Sequence, residues 1–167
     1  LNELIDGYSS PLVVAAVDHI FSMFKEISKN KNIYPEPVSG NYDNDDILLV
    51  HEKACQILSP WFEKERKQNK ESYRENHGKT VSDIEELAKA AIAGSIETVF
   101  IAQDKNVWGK VGPEKVKIEV HKEKQTMDIC LLDFIARSTF LKRGEVFIVK
   151  QEDLPDSKST ANGLLRY

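Results

Sequence analysis

The chain has 167 residues, of which 41% are apolar and 30% charged, enough for one domain or for one domain with part of another. Its net charge of −4 argues against a protein that wraps broadly on nucleic acid, because phosphate binding needs a basic surface, but it leaves a local basic patch open. Neither a run of ~20 apolar residues nor a signal-peptide pattern is present, which predicts a cytoplasmic protein. Since the chain begins at Leu1 rather than Met, we expect it to be part of a longer protein.

The first part of the chain predicts a strand, a helix and a loop. The Val-rich run 12–17 is apolar throughout, which indicates a buried strand. Apolar residues at helical spacing predict a helix over about 19–28. Proline, glycine, asparagine and aspartate then predict a loop over 30–46.

A long helical pattern follows over about 46–76. Ser59 and Pro60 interrupt it with an N-cap residue followed by a first-turn proline, so we expect a kink or break there. The second half is almost entirely charged, as expected for a helix that is exposed or bridges two domains. We place a domain boundary after residue 78, giving predicted domains 1–78 and 79–167.

The remaining chain contains two successive helix–strand patterns. In the first, Ser82 and Glu85 form a predicted capping box, Gly94 is a predicted C-cap, and a buried strand covers 97–102. In the second, a helix begins at Asp128 or Thr126 and ends at Gly144, and a second buried strand, 145–149, follows. We expect the two strands to lie in a single sheet.

Shorter elements surround these two units. Residues 104–109 are predicted to be a loop that carries Trp108. Alternating residues 116–121 predict an edge strand with one solvated face. A polar loop covers 155–160, and 164–167 predict a last strand.

Residues that could support catalysis or bind metal give no convincing pattern. The carboxylate pairs (Glu85-Glu86, Asp128/Asp133, Glu152-Asp153) have structural explanations, and no nucleophile-elbow motif occurs, so we predict no catalytic residue. An acidic segment has calcium-loop spacing at Asn41, Asp43, Asp45 and Glu52, but Asp46 stands where the turn needs glycine. The four histidines lack cysteine partners at zinc spacing, and we predict no metal and no cofactor. Cys55 and Cys130 are predicted to be reduced core thiols.

The charged helix offers a candidate surface for RNA. Four cations share roughly one helical face: Lys64, Lys67, Lys70 and Arg74. The competing interpretation is a solvated face with alternating charges and i,i+4 pairs. Trp108, in the sequence NVWGKV, is either a hydrophobic lid over the sheet or an exposed recognition residue.

Five segments of the chain, in this order, resemble the bacterial members of the archaeo-eukaryotic class I release factor and Pelota superfamily. They are PLVVAAVDHIFSMFKEI, ILSPWFEKERKQNKESYREN, AIAGSIETVFIAQDKNVWG, LLDFIARSTFLKRGEVFIV and GLLRY. The resemblance implies an α/β fold, with a three-layer α/β/α C-terminal domain and a mixed sheet, similar to kink-turn RNA-binding proteins. The residues before it would be the helical end of a ribonuclease H-like middle domain.

The resemblance also limits what can be transferred to this chain. Release factors hydrolyse peptidyl-tRNA with a Gly-Gly-Gln loop, and this chain contains none, so hydrolysis is assigned to no residue. Kink-turn binders place Asn and Glu where this chain has Glu85 and Glu86, and a carboxylate cannot supply the amide donors. The implied binding is therefore to protein partners rather than to kink-turns.

These observations predict a non-catalytic module of a translation factor that docks on the ribosome, on tRNA or rRNA, or on a protein partner. Its expected contact residues are Trp108, Lys110, the 105–115 loop and the four cations of the charged helix. One alternative is an enzyme with a nucleotide or small-molecule pocket at the carboxyl ends of strands 97–102 and 145–149. Another is an oligomerisation module.

Overall fold

The computed structural model describes residues 10–42, 46–112 and 117–167, which form four α-helices and three small sheets. The helices are α1 (Asp18–Ile27), α2 (Ile47–Glu75), α3 (Ile84–Ala93) and α4 (Leu131–Leu141). The strands are β1 (Ala15–Ala16), β2 (Val38–Ser39), β3 (Thr80–Val81), β4 (Ile96–Ala102), β5 (Trp108–Val111), β6 (Ile118–His121), β7 (Ile129–Cys130), β8 (Glu145–Val149) and β9 (Ala161–Leu165). Among these residues, no helix has the length and apolar character needed to cross a membrane.

The chain divides into two compact units, residues 1–64 and 65–167. The predicted domains 1–78 and 79–167, with a ribonuclease H-like identity for the first, stay predictions. Helix α2 contributes residues to both units, because it runs from Ile47 to Glu75 across the boundary between residues 64 and 65. It continues through Pro60, so a break at Ser59-Pro60 is wrong, whereas the alternative of a kink there stays a prediction. Pro60 leaves the carbonyl of Gln56 without its helical partner, but both residues are exposed, so water can satisfy that carbonyl.

The first unit contains the small parallel pair β1–β2, with Ala15 opposite Val38. The predicted buried strand 12–17 is reduced to Ala15–Ala16, and Ala15 is exposed, because the partner strand is itself only two residues long. Helix α1 buries Phe21. Cys55 lies on α2 and is exposed, so its prediction as a core thiol is wrong, whereas Cys130 in the second unit is half-buried; both are free thiols.

The second unit is built on a four-stranded mixed sheet with the strand order β3-β9-β4-β8. The strands β4 and β8 pair in parallel from Thr98–Glu145 to Ala102–Val149, which confirms that the two helix–strand patterns share one sheet. The last strand, β9, begins earlier than predicted and is central, because it pairs antiparallel with both β3 and β4. The mixed sheet is confirmed, and the full three-layer arrangement stays a prediction.

Helices α3 and α4 cover one face of this sheet with their apolar sides. The core contains Leu87, Ala88 and Ala91 from α3, Leu131, Leu132 and Ile135 from α4, and Val99 and Ile101 from β4. Burying each large side chain contributes roughly 1.5–3 kcal/mol. This packing fixes the ends of both helices and so the position of the loops beside them.

The helix ends differ in detail from the sequence predictions. The N-cap of α3 is Asp83, whose carboxylate accepts from the amide of Glu86 at 3.0 Å, while the Ser82 hydroxyl lies 3.1 Å from that of Tyr73. The predicted capping box at Ser82 is therefore wrong. Gly94 caps the C-terminus with φ 77°, as predicted.

Helix α4 begins at Leu131, later than predicted, because Ile129 and Cys130 pair with β5. At its other end the left-handed residue is Arg143 (φ 62°) rather than Gly144. Position 144 requires glycine because of close packing: an added Cβ would lie 2.8 Å from the carbonyl oxygen of Ile96.

The third sheet has the order β6-β5-β7, so β6 is an edge strand, as predicted. Trp108 begins β5, which shortens the predicted 104–109 loop at its end. Gly109 allows β5 and β6 to approach closely, because a Cβ on it would lie 2.0 Å from the Glu119 carbonyl oxygen.

Candidate functional site

The four predicted RNA-binding cations all lie on α2, but they differ in availability. Lys64, Lys67 and Arg74 are exposed, and none makes a hydrogen bond or ion pair within the described part of the chain. Lys70 is half-buried, and its ammonium group donates to the carbonyl oxygen of Asp153 at 2.7 Å. Lys70 is therefore occupied in the fold, and three cations remain available to a ligand.

Acidic residues interrupt this surface. Glu71 is exposed and lies four residues after Lys67 and three before Arg74, so it shares their side of α2. Glu75 is also exposed and follows Glu71 by one helical turn. The cationic surface is thus a narrow line of charges rather than a broad basic patch, in keeping with the net charge of −4.

The two other predicted contact residues lie on the outer face of the three-stranded sheet. Trp108 is half-buried, and the ammonium group of Lys124 lies 4.4 Å from its ring centroid, within cation–π range. The register places Trp108 opposite both His121 and Cys130. Of the predicted 105–115 contact loop, residues 113–116 lie outside the described residues.

Lys110 belongs to a network of charged groups on the same face. Its ammonium group lies 4.0 Å from one carboxylate oxygen of Asp128, whose side chain is fully buried. The other oxygen of Asp128 accepts from Nδ1 of His121 at 2.8 Å and from the amide of Gln125 at 2.9 Å. The sequence did not predict this network. His121 lies on a strand and Asp128 in a loop, and the spacing between them matches no known motif.

The network shifts three pKa values. Burial acts to raise the pKa of Asp128, but the hydrogen bonds from His121 and from the Gln125 amide, with the charges of His121 and Lys110, bring it below its usual range. The ammonium group of Lys117 lies 2.7 Å from a carboxylate oxygen of Glu119. This hydrogen bond raises the pKa of Lys117 and lowers the pKa of Glu119. The shifts favour the charged forms of Asp128, Lys117 and Glu119.

A cavity of about 380 Å³ opens at the amino ends of β4 and β8. The half-buried Asn69 on α2 is one of its lining residues. The hydroxyl of the buried Thr98 donates to Oδ1 of Asn69 at 3.0 Å, and Nδ2 of Asn69 donates to a carboxylate oxygen of Glu145 at 2.9 Å. The enzyme alternative expected a pocket at the opposite, carboxyl ends of these strands.

Among the residues that the structure describes, potential metal ligands are not brought together. In the ranges 10–42, 46–112 and 117–167, no three His, Cys, Asp or Glu side chains are grouped so that they could hold a metal ion. Asp43 and Asp45, from the weak calcium-loop pattern, lie outside the described residues. Glu85, at the position of the kink-turn asparagine, is 2.6 Å from the ammonium group of Lys89.

Comparison with models of protein families identifies the family of the chain. The model of bacterial archaeo-eukaryotic release factor family 3 matches residues 1–95, which is more than half of the sequence. The chain belongs to this family. This confirms the resemblance to the release factor and Pelota superfamily that the five sequence segments indicated. No curated protein matches the chain.

One solved structure shares the fold of this release factor family 3 member. A ribosome-bound archaeal Pelota, described together with ABCE1, matches 99% of the chain and 46% of its own, with 17% identity and a TM-score of 0.50. Pelota from Archaeoglobus fulgidus matches 99% of the chain and 51% of its own, with 17% identity and a TM-score of 0.43. The first likeness shows a Pelota-like fold, and the chain spans about half the length of either protein.

Proposed function

We propose that this chain is a non-catalytic docking module that places a release-factor-like protein on ribosomal RNA in the cytoplasm. The observation that carries the proposal is the set of exposed cations Lys64, Lys67 and Arg74 on α2, a helix inside the family-matched region. The choice of the ribosome is supported by a neighbour of similar fold, the archaeal Pelota described as ribosome-bound.

The physical role of these cations would be to neutralise RNA phosphates. Each lysine or arginine that contacts a phosphate displaces a condensed counterion, so binding weakens as salt is added. Three such contacts predict a plot of log affinity against log salt with a slope of about −2 to −3. Lys70 would contribute less, because its ammonium group already donates to Asp153.

Trp108 and Lys110 stay predicted contacts for a protein partner of the same assembly. Both lie on the outer face of the three-stranded sheet, and both interact with charged neighbours of their own chain. Any contact through Trp108 would use the part of the ring that Lys124 does not cover. Catalysis is not proposed for this chain, whose sequence has no Gly-Gly-Gln.

Co-sedimentation of the full chain with ribosomal subunits at low salt tests the proposal. We expect the wild type to sediment with subunits and the variant Lys64→Glu/Lys67→Glu/Arg74→Glu to remain in the supernatant. The matched control is Lys25→Glu/Lys29→Glu/Lys31→Glu, which changes the net charge equally at three exposed lysines of the first unit. Sedimentation of the α2 variant at the wild-type level, or equal loss in both variants, would overturn the proposal.

A further inference from the structure

Three local irregularities converge on the 380 Å³ cavity at the amino ends of β4 and β8. Its lining is Asn69, Glu97, Thr98, Arg143, Glu145 and Arg166. The first irregularity is a shift of register between Ile96 and Thr98 in the β4–β9 ladder. Consecutive residues of a regular strand point to opposite faces, but here Glu97 and Thr98 line the same cavity.

The second and third irregularities are at the turn from α4 into β8. Arg143 has the left-handed φ of 62°, a conformation that costs free energy for a residue with a side chain and is found more often near functional sites. The third irregularity is the tight packing at the next residue, Gly144, where an added Cβ would lie 2.5 Å from the Thr139 side chain. This tight turn places Arg143 and Glu145 together at the rim.

The four charged side chains of the lining are not paired with one another. No salt bridge within 4.0 Å joins either arginine to either glutamate in the part of the chain that the structure describes. Arg166 donates through Nη2 to the carbonyl oxygen of Lys142 at 2.9 Å and keeps its other donors. Glu145 is held by Asn69 through one oxygen only. Two cations and two anions, all of them exposed, therefore line one open cavity and keep hydrogen-bonding capacity that no described group of the protein uses.

We propose that this cavity binds a small zwitterion, with the size and charges of an amino acid or short peptide that has free termini. The carboxylate of the ligand would accept hydrogen bonds from Arg143 and Arg166, since guanidinium groups match carboxylates in geometry. Its ammonium group would donate to Glu97 and Glu145. A purely anionic ligand fits less well, because the two glutamates would repel it.

Hydrogen bonds within the lining order part of the cavity in the absence of a ligand. The Thr98–Asn69–Glu145 chain of hydrogen bonds holds the Glu145 carboxylate in place before any ligand arrives, and its hydroxyl end is buried. Such pre-ordering lowers the entropy cost of binding. The site does not involve the α2 cations, so it can be tested independently of ribosome docking.

An NMR titration of the full, ¹⁵N-labelled chain tests this inference. The probes are glycine, diglycine and triglycine, which carry both charges at increasing separation, and N-acetylglycinamide, which has neither charge. We expect saturable shifts of the Asn69 side-chain NH₂ and the Glu145 amide with at least one zwitterion and none with the blocked probe. Absence of saturable shifts with all three zwitterions, or equal shifts with N-acetylglycinamide, would overturn the proposal.

Two conservative variants show whether the charges are responsible. Arg143→Asn tolerates the left-handed backbone, and Glu145→Gln keeps an acceptor for Asn69, so both should fold. We expect each to weaken the affinity for the bound zwitterion about tenfold or more. The control Arg137→Gln alters an exposed arginine of α4 outside the lining and should bind like the wild type. Wild-type affinity in both cavity variants would contradict the proposal.

Discussion

Nδ1 of His121, on the edge strand β6, donates to the Asp128 carboxylate at 2.8 Å across the connection that joins β6 to β7. The same carboxylate oxygen accepts from the Gln125 amide within that connection. One buried carboxylate therefore fixes both the loop and the strand that precedes it. The short sheet β6-β5-β7 would be only marginally stable through strand pairing alone. It is therefore stabilised in part by a carboxylate whose charge depends on pH.

We predict that Asp128 makes the stability of the second unit depend on acid pH. Because its pKa is lowered in the fold, its contribution is fully present above the unfolded value of about 4 and is lost as the pH falls through the folded value. Urea unfolding at pH 7 and at pH 3 should show Asp128→Asn less stable than wild type at pH 7, with the difference shrinking at pH 3. Glu123→Gln, an exposed neighbour, is the control. A difference that does not change with pH would contradict this prediction.

Gly109 is predicted to be required for the pairing of β5 with β6. Its missing Cβ would stand 2.0 Å from the Glu119 carbonyl oxygen and 2.7 Å from the Leu131 side chain, so Gly109→Ala must push the strands apart. We expect a loss of about 1–3 kcal/mol in the free energy of unfolding, measured by denaturant titration. Gly78→Ala is the matched control, because nothing lies within 4 Å of its added Cβ. Equal stability of the two variants would refute the close approach.

The N-cap of α3 can be assigned by mutation. Asp83→Ala removes the acceptor for the Glu86 amide and should cost about 0.5–2 kcal/mol. Glu85→Ala removes the exposed pair with Lys89, which should cost about 0.5 kcal/mol or less. Thermal unfolding of both variants separates the two assignments, and a larger loss for Glu85→Ala would restore the capping box predicted from Ser82 and Glu85.

Replacing the exposed acidic residue Glu71 of α2 with a lysine should strengthen the proposed binding to ribosomal RNA. Glu71→Lys places a fourth free cation between Lys67 and Arg74, so ribosome binding should tighten and its salt dependence should steepen by about one unit of slope. Binding isotherms at several salt concentrations measure both effects. Glu26→Lys, an exposed change on α1, controls for net charge. If Glu71→Lys binds no better than this control, α2 does not face RNA.

The regular parts of the fold could be predicted because apolar periodicity and glycine placement decide them locally. The pattern from Ile84 to Ala102 predicted α3, the left-handed Gly94 and the buried strand β4, and the structure has all three. Strand β8 has the predicted limits 145–149 for the same reason, but the prediction that it is buried is wrong, because β8 lies at the edge of the sheet and Ile148 is exposed. Its pairing with β4 followed from the repeated helix–strand order, which favours a parallel crossover.

The remaining features depend on distant residues and leave no local signal. The residue types predict a helix start at Asp128, but β7 pairs with β5, so the chain stays extended through Cys130. They also predict Ser82 as the N-cap of α3, but its hydroxyl contacts Tyr73 and Asn162 instead. The cavity lining combines residues from four separate stretches of sequence, and neither the register shift at Ile96/Thr98 nor the left-handed Arg143 can be read from residue types alone.

The central position of β9 constrains how the second unit can form during synthesis. Strand β3 has β9 as its partner in the sheet, and β4 has it on one side, although β9 is made long after both. While residues 161–165 are still inside the ribosomal exit tunnel, β3 has no hydrogen-bonded neighbour and one side of the apolar strand β4 is open. A nascent chain arrested before residue 161 should therefore remain incompletely folded and sensitive to protease, and the sheet should close only after β9 emerges.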